Sequence, residues 1–184
     1  MRTIVFFLEE ESAKAFLENF MPRFLPQDNE YIYITFEGKQ DMEKQLFRKL
    51  NSWRKSNSSF IIIRDQDKGD CLEIKMKLSN ICQEAGRSDS LIRIACRELE
   101  SWYLGDLAAV SRIFDNGRIA KLQKKSKYRN PDLLQNPDQE LSLITKGLYQ
   151  KVSSSRLFGS EIGIFGNYSH SFNVFLTGIR NLCG

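Results

Sequence analysis

Four short apolar segments, each followed by a segment with the periodicity of an amphipathic helix, constrain the fold of this chain most strongly. The apolar segments have the length of buried β-strands, and strands that alternate with helices form a mainly parallel sheet with helices on both faces. We therefore predict an α/β fold with a four-stranded, Rossmann-like sheet. The predicted strands are residues 3–8, 31–36, 60–64 and 91–96, and the predicted helices are residues 13–21, 41–55, 72–85 and 101–114.

The sequence after residue 114 has a different character. Residues 117–137 are basic and are interrupted by Pro131 and Pro137, which predicts loops and short helices. Further helices are expected over residues 137–149 and 171–182. We therefore divide the 184 residues into an α/β core, residues 1–114, and a basic, loop-rich and helical extension, residues 115–184, packed on that core.

Positive charge is concentrated in the second part of the chain. Residues 112–156 contain ten Lys or Arg and four Asp or Glu, a balance of +6, whereas the rest carries 17 basic and 19 acidic residues. An acidic region beside a basic one suits a metal site next to a polyanion-binding surface, although a solvated basic surface has the same composition. The side chains expected to contact nucleic-acid phosphates are Lys124, Lys125, Lys127, Arg129, Lys151 and Arg156.

The candidate acidic residues follow the first, third and fourth predicted strands. Glu9 comes directly after the first strand, Asp65 and Asp67 after the third, and Glu98 and Glu100 after the fourth. Ligands of a parallel sheet bind outside the carboxyl ends of its strands, so we expect these acids to share one edge. Carboxylates that converge without cationic partners repel one another, and a bound cation relieves this repulsion. The alternative is that the acids only favour the positive ends of helix dipoles.

The types of residue in the predicted site limit which cation could bind there. Oxygen ligands without cysteine or histidine favour Mg²⁺ or Mn²⁺ over zinc. The chain has one histidine, His170, and four separated cysteines, which argues against a zinc site and against most Ser-His or Cys-His nucleophile schemes. We expect His170 to be an ordinary hydrogen-bonded histidine. Lys151, Arg156 and His170 lie in a polar stretch that includes the serines at 153–155 and suits either phosphate binding or a flexible loop.

Two acidic motifs resemble the Toprim domain of topoisomerases, primases and overcoming-lysogenization-defect nucleases. The motifs are LEEES at residues 8–12, in which Glu10 replaces the glycine of many Toprim domains, and DQDKG at residues 65–69. Three more motifs are similar to those of the Toprim-like domain-of-unknown-function family 4276, over nearly the whole chain. They are RELESWYLGD at 97–106, KYRNP at 127–131 and SHSF at 169–172.

The resemblance implies a magnesium- or manganese-dependent nuclease. Members of the family tend to be encoded beside an ATPase of the ABC or structural-maintenance type, in arrangements suggestive of phage defence. The implied partners are therefore that ATPase and nucleic acid, with DNA favoured. The implied catalytic residues are Glu9, Asp65 and Asp67, which would also bind the metal, with Glu98 and Glu100 as further metal ligands. The alternative is a non-catalytic subunit that docks on or regulates the ATPase, which Glu10 in the place of glycine favours.

Other functions and locations fit the sequence less well. The Asp65-x-Asp67 pattern also occurs in haloacid-dehalogenase-like phosphatases, but these carry it after their first strand. A calcium loop would need its glycine at another position, and the chain has no P-loop motif. No apolar run reaches the roughly 18 residues of a membrane span, and the acids at residues 9–11 interrupt any signal peptide. We expect a cytoplasmic protein without a membrane partner.

Overall fold

A computed structural model describes residues 2–25 and 29–183. Within these ranges four strands form one sheet in which all neighbouring strands are parallel. Its order is β2-β1-β3-β4. The strands are β1 Arg2–Leu8, β2 Asn29–Thr35, β3 Ser58–Asp65 and β4 Leu91–Ala95. The predicted four-stranded, Rossmann-like α/β fold is confirmed.

Helices alternate with these strands and then make up most of the extension. Those of the core are α1 Glu11–Phe24, α2 Lys39–Asn51, α3 Cys71–Glu84, α4 Glu100–Leu104 and α5 Leu107–Ile113. Those of the extension are α6 Gly117–Lys121, α7 Pro137–Ile144, α8 Lys151–Glu161 and α9 His170–Cys183. Three turns of 3-10 helix, Leu122–Lys124, Ser126–Tyr128 and Pro131–Leu133, lie between α6 and α7. They confirm the prediction of loops and short helices there.

The sheet is covered on both faces, which explains why its strands are almost continuously apolar. Successive side chains of a strand point to opposite faces. Phe6 of β1 packs in a layer with α1, α4, α8 and α9, whereas Val5 and Phe7 pack in a second layer with α2 and α3. All three side chains are fully buried.

The extension shares the larger of these two layers with the core. Helix α8 approaches α1 so closely that a Cβ atom at Gly159 would lie 2.2 Å from the carbonyl oxygen of Phe16. Arg23 of α1 donates a 2.7 Å hydrogen bond to the carbonyl of Gly159. Ser154 and Ser155 are buried on α8. The serine-rich stretch is therefore a packed helix and not a flexible loop.

Three helices do not end where the sequence predicts. Helix α2 ends at Asn51 rather than residue 55, because the chain leaves the helix at Ser52. Helix α1 continues through Pro22 to Phe24, so the predicted end at residue 21 is wrong. Its apolar face, which includes the fully buried Phe16 and Phe20, compensates for the backbone hydrogen bond that proline cannot donate. Pro26, the second predicted stop, lies outside the described residues. Helix α7 ends at Ile144 rather than residue 149, because the chain then turns through left-handed φ angles over residues 146–147.

The helix predicted over residues 101–114 is broken in two at Gly105. A Cβ atom at Gly105 would lie 1.9 Å from Oδ1 of Asn167, so the loop before α9 presses against this point. Asp106 then caps α5 by accepting a 3.0 Å hydrogen bond from the backbone N–H of Ala109. The break is thus fixed by a contact more than 60 residues away in sequence.

Among the helices that the structure describes, none combines the length and the apolar character needed to cross a membrane.

Candidate functional site

The carboxyl ends of β1 and β3 form the point where the strand order reverses. From β1 the chain crosses to β2 on one side, and it later returns to place β3 on the other side. Crevices at such switch points are the usual ligand sites of parallel sheets. Glu9 follows β1 and Asp65 ends β3. Oε2 of Glu9 accepts a 3.1 Å hydrogen bond from the backbone N–H of Asp65, so the structure brings these two predicted residues together.

Glu100, the first residue of α4, joins this pair from the end of β4. Its side chain is completely buried. Oε1 accepts a 2.6 Å hydrogen bond from the hydroxyl of Tyr149, whereas Oε2 has no hydrogen-bond partner among the described residues. A buried carboxylate oxygen without a partner is energetically costly and marks a position where a ligand would be stabilising.

Four carboxyl groups, which we name the carboxylate cluster, act on one another at this edge. Burial is the main cause that raises the pKa of Asp65 well above its ordinary value, and the negative charges of Glu100, Glu9 and Glu10 raise it further. Burial also raises the pKa of Glu100 and that of Glu9. The cluster consists of Glu9, Glu10, Asp65 and Glu100.

Cations accompany the cluster, contrary to the expectation of acids that converge without positive partners. Nζ of Lys151 lies 2.6 Å from Oε2 of Glu10, and its charge also acts on Asp65. The guanidinium of Arg64 lies 3.9 Å from Glu9. Lys151, predicted to contact phosphate, is therefore placed among the acids, where it offsets part of their mutual repulsion.

The oxygen donors of the cluster are of the type that Mg²⁺ and Mn²⁺ prefer. Glu9, Glu10 and Asp65 line a crevice of about 10 Å³, roughly the space of one water molecule. The described residues contain no group of three or more Asp, Glu, His or Cys positioned to hold a metal. Magnesium is usually bound by one or two carboxylates together with water and substrate phosphates. The chemistry of the donors thus suits Mg²⁺, whereas a cage made only of protein ligands does not fit.

Asp67 and Glu98, two further predicted metal ligands, pair with other groups beside the cluster. Asp67 has a left-handed φ of 53°. Its carboxylate forms an ion pair with Nζ of Lys39 at 2.6 Å. Glu98 accepts a 2.8 Å hydrogen bond from the backbone N–H of Asp138, and so caps the first turn of α7. Both line a cleft of about 310 Å³, which we name the sheet-edge cleft. Its lining is Lys39, Asp67, Lys68, Gly69, Arg97, Glu98, Gln135 and Asn136.

The remaining basic residues lie on the surface of the extension. Lys124 and Lys125 are exposed, and Lys127 forms a 2.6 Å ion pair with Glu140. Arg129 is exposed too and donates a hydrogen bond to the carbonyl of Lys124. Arg156 is exposed on α8. The contact of these side chains with nucleic acid stays a prediction.

The other sequence motifs hold the extension to the core. Asp132 accepts 2.7 Å hydrogen bonds from the hydroxyl of Ser169 and from the backbone N–H of Ser171, at the start of α9. The indole N–H of Trp102 donates a 3.0 Å hydrogen bond to the hydroxyl of Ser171. His170 is exposed between the two buried serines. In the SHSF motif the serines thus have a structural role.

A comparison with protein-family models places the chain. The model of the family described as "Domain of unknown function (DUF4276)" matches residues 8–180. The chain belongs to this family. The DUF4276 match spans the carboxylate cluster, the sheet-edge cleft and the motifs at residues 97–106, 127–131 and 169–172. Searches of curated proteins and of solved structures found no match.

Several residues of the site were not predicted from the sequence. Lys39 and Lys68 line the sheet-edge cleft, as does Arg97. Lys68 and Arg97 stand next to the predicted acids Asp67 and Glu98, and this adjacency was an available signal. Lys39 follows the second predicted strand and so belongs to the same edge of the sheet, but it stands beside none of the predicted site residues in the sequence.

Proposed function

We propose that this DUF4276 chain is a divalent-metal-dependent, Toprim-type enzyme that cleaves phosphodiester bonds in nucleic acid. One observation carries the proposal: the carboxylate of Glu9 accepts a hydrogen bond from the backbone of Asp65 at the switch point of the parallel sheet. The unpartnered oxygen of the buried Glu100 and the surrounding oxygen donors support a Mg²⁺ or Mn²⁺ ion.

Each member of the site would have a separate role. Asp65 and Glu100 would hold the ion, which when bound supplies charge neutralisation at the phosphate and activates a water. Tyr149 orients Glu100 through its 2.6 Å hydrogen bond. Lys151 limits the repulsion between the acids by pairing with Glu10.

Glu9 would act as the general base of the reaction. Its carboxylate is held by the backbone N–H of Asp65, one of the proposed metal ligands. The oxygen of the attacking water forms a bond with phosphorus while its proton passes to Glu9. The bond between phosphorus and the leaving oxygen breaks, and that oxygen takes up a proton from solvent.

Cleavage assays test the proposal directly. The purified chain is incubated with Mg²⁺ or Mn²⁺ and with single- and double-stranded DNA and RNA, alone and with an ATPase of the ABC or structural-maintenance type. We expect Glu9→Gln and Asp65→Asn to lower the rate by at least about 100-fold. Glu84→Gln, which changes an exposed acid of α3, serves as the matched control and should be fully active. If the wild-type chain leaves every substrate intact under all these conditions, the proposal is wrong.

A second candidate is a non-catalytic subunit that docks on or regulates a partner ATPase. It is favoured by the absence of a group of three metal-ligating side chains among the described residues, and by the ion pairs of Lys151 and Lys39. In this case the acids would be structural. Calorimetry distinguishes the two candidates, because a scaffold needs to bind neither Mg²⁺ nor Mn²⁺, whereas the enzyme must bind one of them.

The biological setting of the proposal comes from the family resemblance. We propose that the chain acts in the cytoplasm with an ABC- or structural-maintenance-type ATPase against phage or other foreign DNA. Plaque counts on cells that carry both genes measure this effect. We expect protection to be lost with Asp65→Asn and retained with Glu84→Gln, whereas the scaffold would protect equally with either variant.

A further inference from the structure

We propose that the sheet-edge cleft binds the phosphate–sugar backbone of a single nucleic-acid strand, without reading its bases, and positions that strand beside the carboxylate cluster. The inference deepens the proposed function and rests on it for the identity of the polymer. Binding and cleavage are separable, however, because binding can be measured without any divalent ion.

Three cations from three different parts of the fold surround the cleft. Lys39 begins α2, Lys68 follows β3, and Arg97 follows β4. Their charges are the type that neutralises phosphate. Since they come from separate elements, the fold must have formed before they can act together. No run of basic residues in the sequence marks this site.

The loops that carry Lys68 and Arg97 are fixed to each other. The backbone N–H of Asp67 donates a 2.7 Å hydrogen bond to the carbonyl of Arg97, and the backbone N–H of Arg97 donates to the side chain of Gln66 at 3.1 Å. Arg97 also has a left-handed φ of 63°. Its position is therefore held by backbone contacts and does not depend on a ligand, which lowers the entropy cost of binding.

The cleft adjoins the carboxylate cluster through Asp67. This residue lines the cleft and pairs with Lys39 at 2.6 Å. The backbone N–H of Gly38, the neighbour of Lys39, donates a 3.1 Å hydrogen bond to the carbonyl of Glu9. The side chain of Lys39 is 46% exposed, so its ammonium can contact a phosphate while it stays beside Asp67. A strand bound in the cleft is thus next to the residues proposed for catalysis.

The lining of the cleft indicates recognition of the backbone and not of the bases. Apart from charged groups and Gly69, the lining consists of the amides of Gln135 and Asn136, and no aromatic side chain is available for stacking a base. A volume of about 310 Å³ is at the lower end of clefts that enclose small ligands, which suits one nucleotide unit and not a duplex.

The cleft also continues, which favours a polymer over a free nucleotide. Gln135 and Asn136 line both the sheet-edge cleft and a larger groove of about 570 Å³. The second groove contains Lys127 and reaches Leu143 on α7. A strand that leaves the cleft over these two amides would therefore remain in contact with the extension.

Binding of a fluorescent single-stranded oligonucleotide of mixed sequence, measured by anisotropy in EDTA over a range of salt concentrations, tests the inference. The double variant Lys68→Ala/Arg97→Gln should bind at least about tenfold more weakly. Its log–log salt slope should be flatter by roughly 1.4, since each lost contact with a single strand contributes about 0.7. Lys44→Ala/Lys75→Ala removes two exposed charges from α2 and α3 and is the matched control, expected within twofold of wild type. Circular dichroism verifies that each variant is folded. If the double variant does not fold, Lys68→Glu, which changes an exposed position, takes its place.

The outcomes separate this inference from the proposed function. Selective loss of binding in the cleft variant supports it even if no cleavage is ever observed. Equal loss in both double variants would show a general charge effect, and no loss would show that the cleft is not used; either result overturns the inference. Competition by a nucleoside monophosphate or inorganic phosphate as strong as that by an unlabelled strand, at equal phosphate concentration, would overturn the assignment of a polymer.

Discussion

The most specific prediction concerns Glu100→Gln in the metal-free protein. Glu100 is fully buried, its Oε1 accepts the hydroxyl of Tyr149 at 2.6 Å, and its Oε2 has no partner among the described residues. Glutamine has the same shape, keeps an acceptor for Tyr149 and carries no charge. Burial raises the pKa of Glu100, which means that the folded protein disfavours its charged form, whereas glutamine carries no charge and leaves one amide group unpartnered as Oε2 is now. We therefore expect the variant to gain about 1 kcal/mol in free energy of unfolding, since one pKa unit corresponds to about 1.4 kcal/mol, or roughly 2–4 °C in Tm.

Divalent ions should reverse this order of stability. A ligand that binds only the folded state stabilises it by RT ln(1 + [L]/Kd), about 2.7 kcal/mol at a concentration of 100 times Kd. Wild-type protein should gain this amount from Mn²⁺, whereas Glu100→Gln, which lacks one proposed ligand, should gain much less. Thermal unfolding with EDTA and with increasing Mn²⁺ measures both parts of the prediction.

Two controls make the result interpretable. Glu84→Gln changes an exposed acid, so its Tm should follow that of wild type at every Mn²⁺ concentration. Tyr149→Phe removes the hydrogen bond to Glu100 and should destabilise the metal-free protein by about 1–3 kcal/mol. A metal-free Glu100→Gln variant that is less stable than wild type, or that gains equally from Mn²⁺, would refute the reasoning.

Three more predictions concern the fold around the site. Gly159→Ala should lower the free energy of unfolding by about 1–3 kcal/mol, because its Cβ would lie 2.2 Å from the carbonyl oxygen of Phe16. An unchanged midpoint in urea denaturation would contradict the close packing of α8 on α1. Asp132→Ala should destabilise the chain by a similar amount and speed hydrogen exchange at the start of α9, since it removes the acceptor for Ser169; uniform protection there would argue against this anchoring role. Burial and, to a smaller extent, the charge of Asp132 raise the pKa of Cys96 to about 11. In a variant whose other cysteines are serine, the alkylation rate of Cys96 should therefore still be rising at pH 10, and a plateau near pH 9 would contradict this prediction.

The sheet could be predicted because its strands are buried on both faces. Burial on two sides requires almost every residue to be apolar, so segments such as residues 3–8 and 60–64 stand out in the sequence. The parallel arrangement followed from the helices between them, and it correctly placed Glu9 beside Asp65. That part of the site depends only on where strands end.

The remaining parts of the site depend on contacts between distant segments. Tyr149 and Lys151 reach the acids only because the extension folds back over the core, and nothing in their local sequence indicates this. The break at Gly105 is set by Asn167 in the same way. The continuation of α1 through Pro22 reflects packing that outweighs a local rule. Charge pairing across such distances cannot be deduced from one sequence.

The central claim, that the carboxylate cluster binds a catalytic divalent ion, is tested most directly by crystals soaked in Mn²⁺ and measured at a wavelength where manganese scatters anomalously. The account predicts an anomalous peak in contact with carboxylate oxygens of Asp65 and Glu100, and its loss in Glu100→Gln crystals. A map without a peak at these residues in fully soaked wild-type crystals would contradict the account and favour the scaffold.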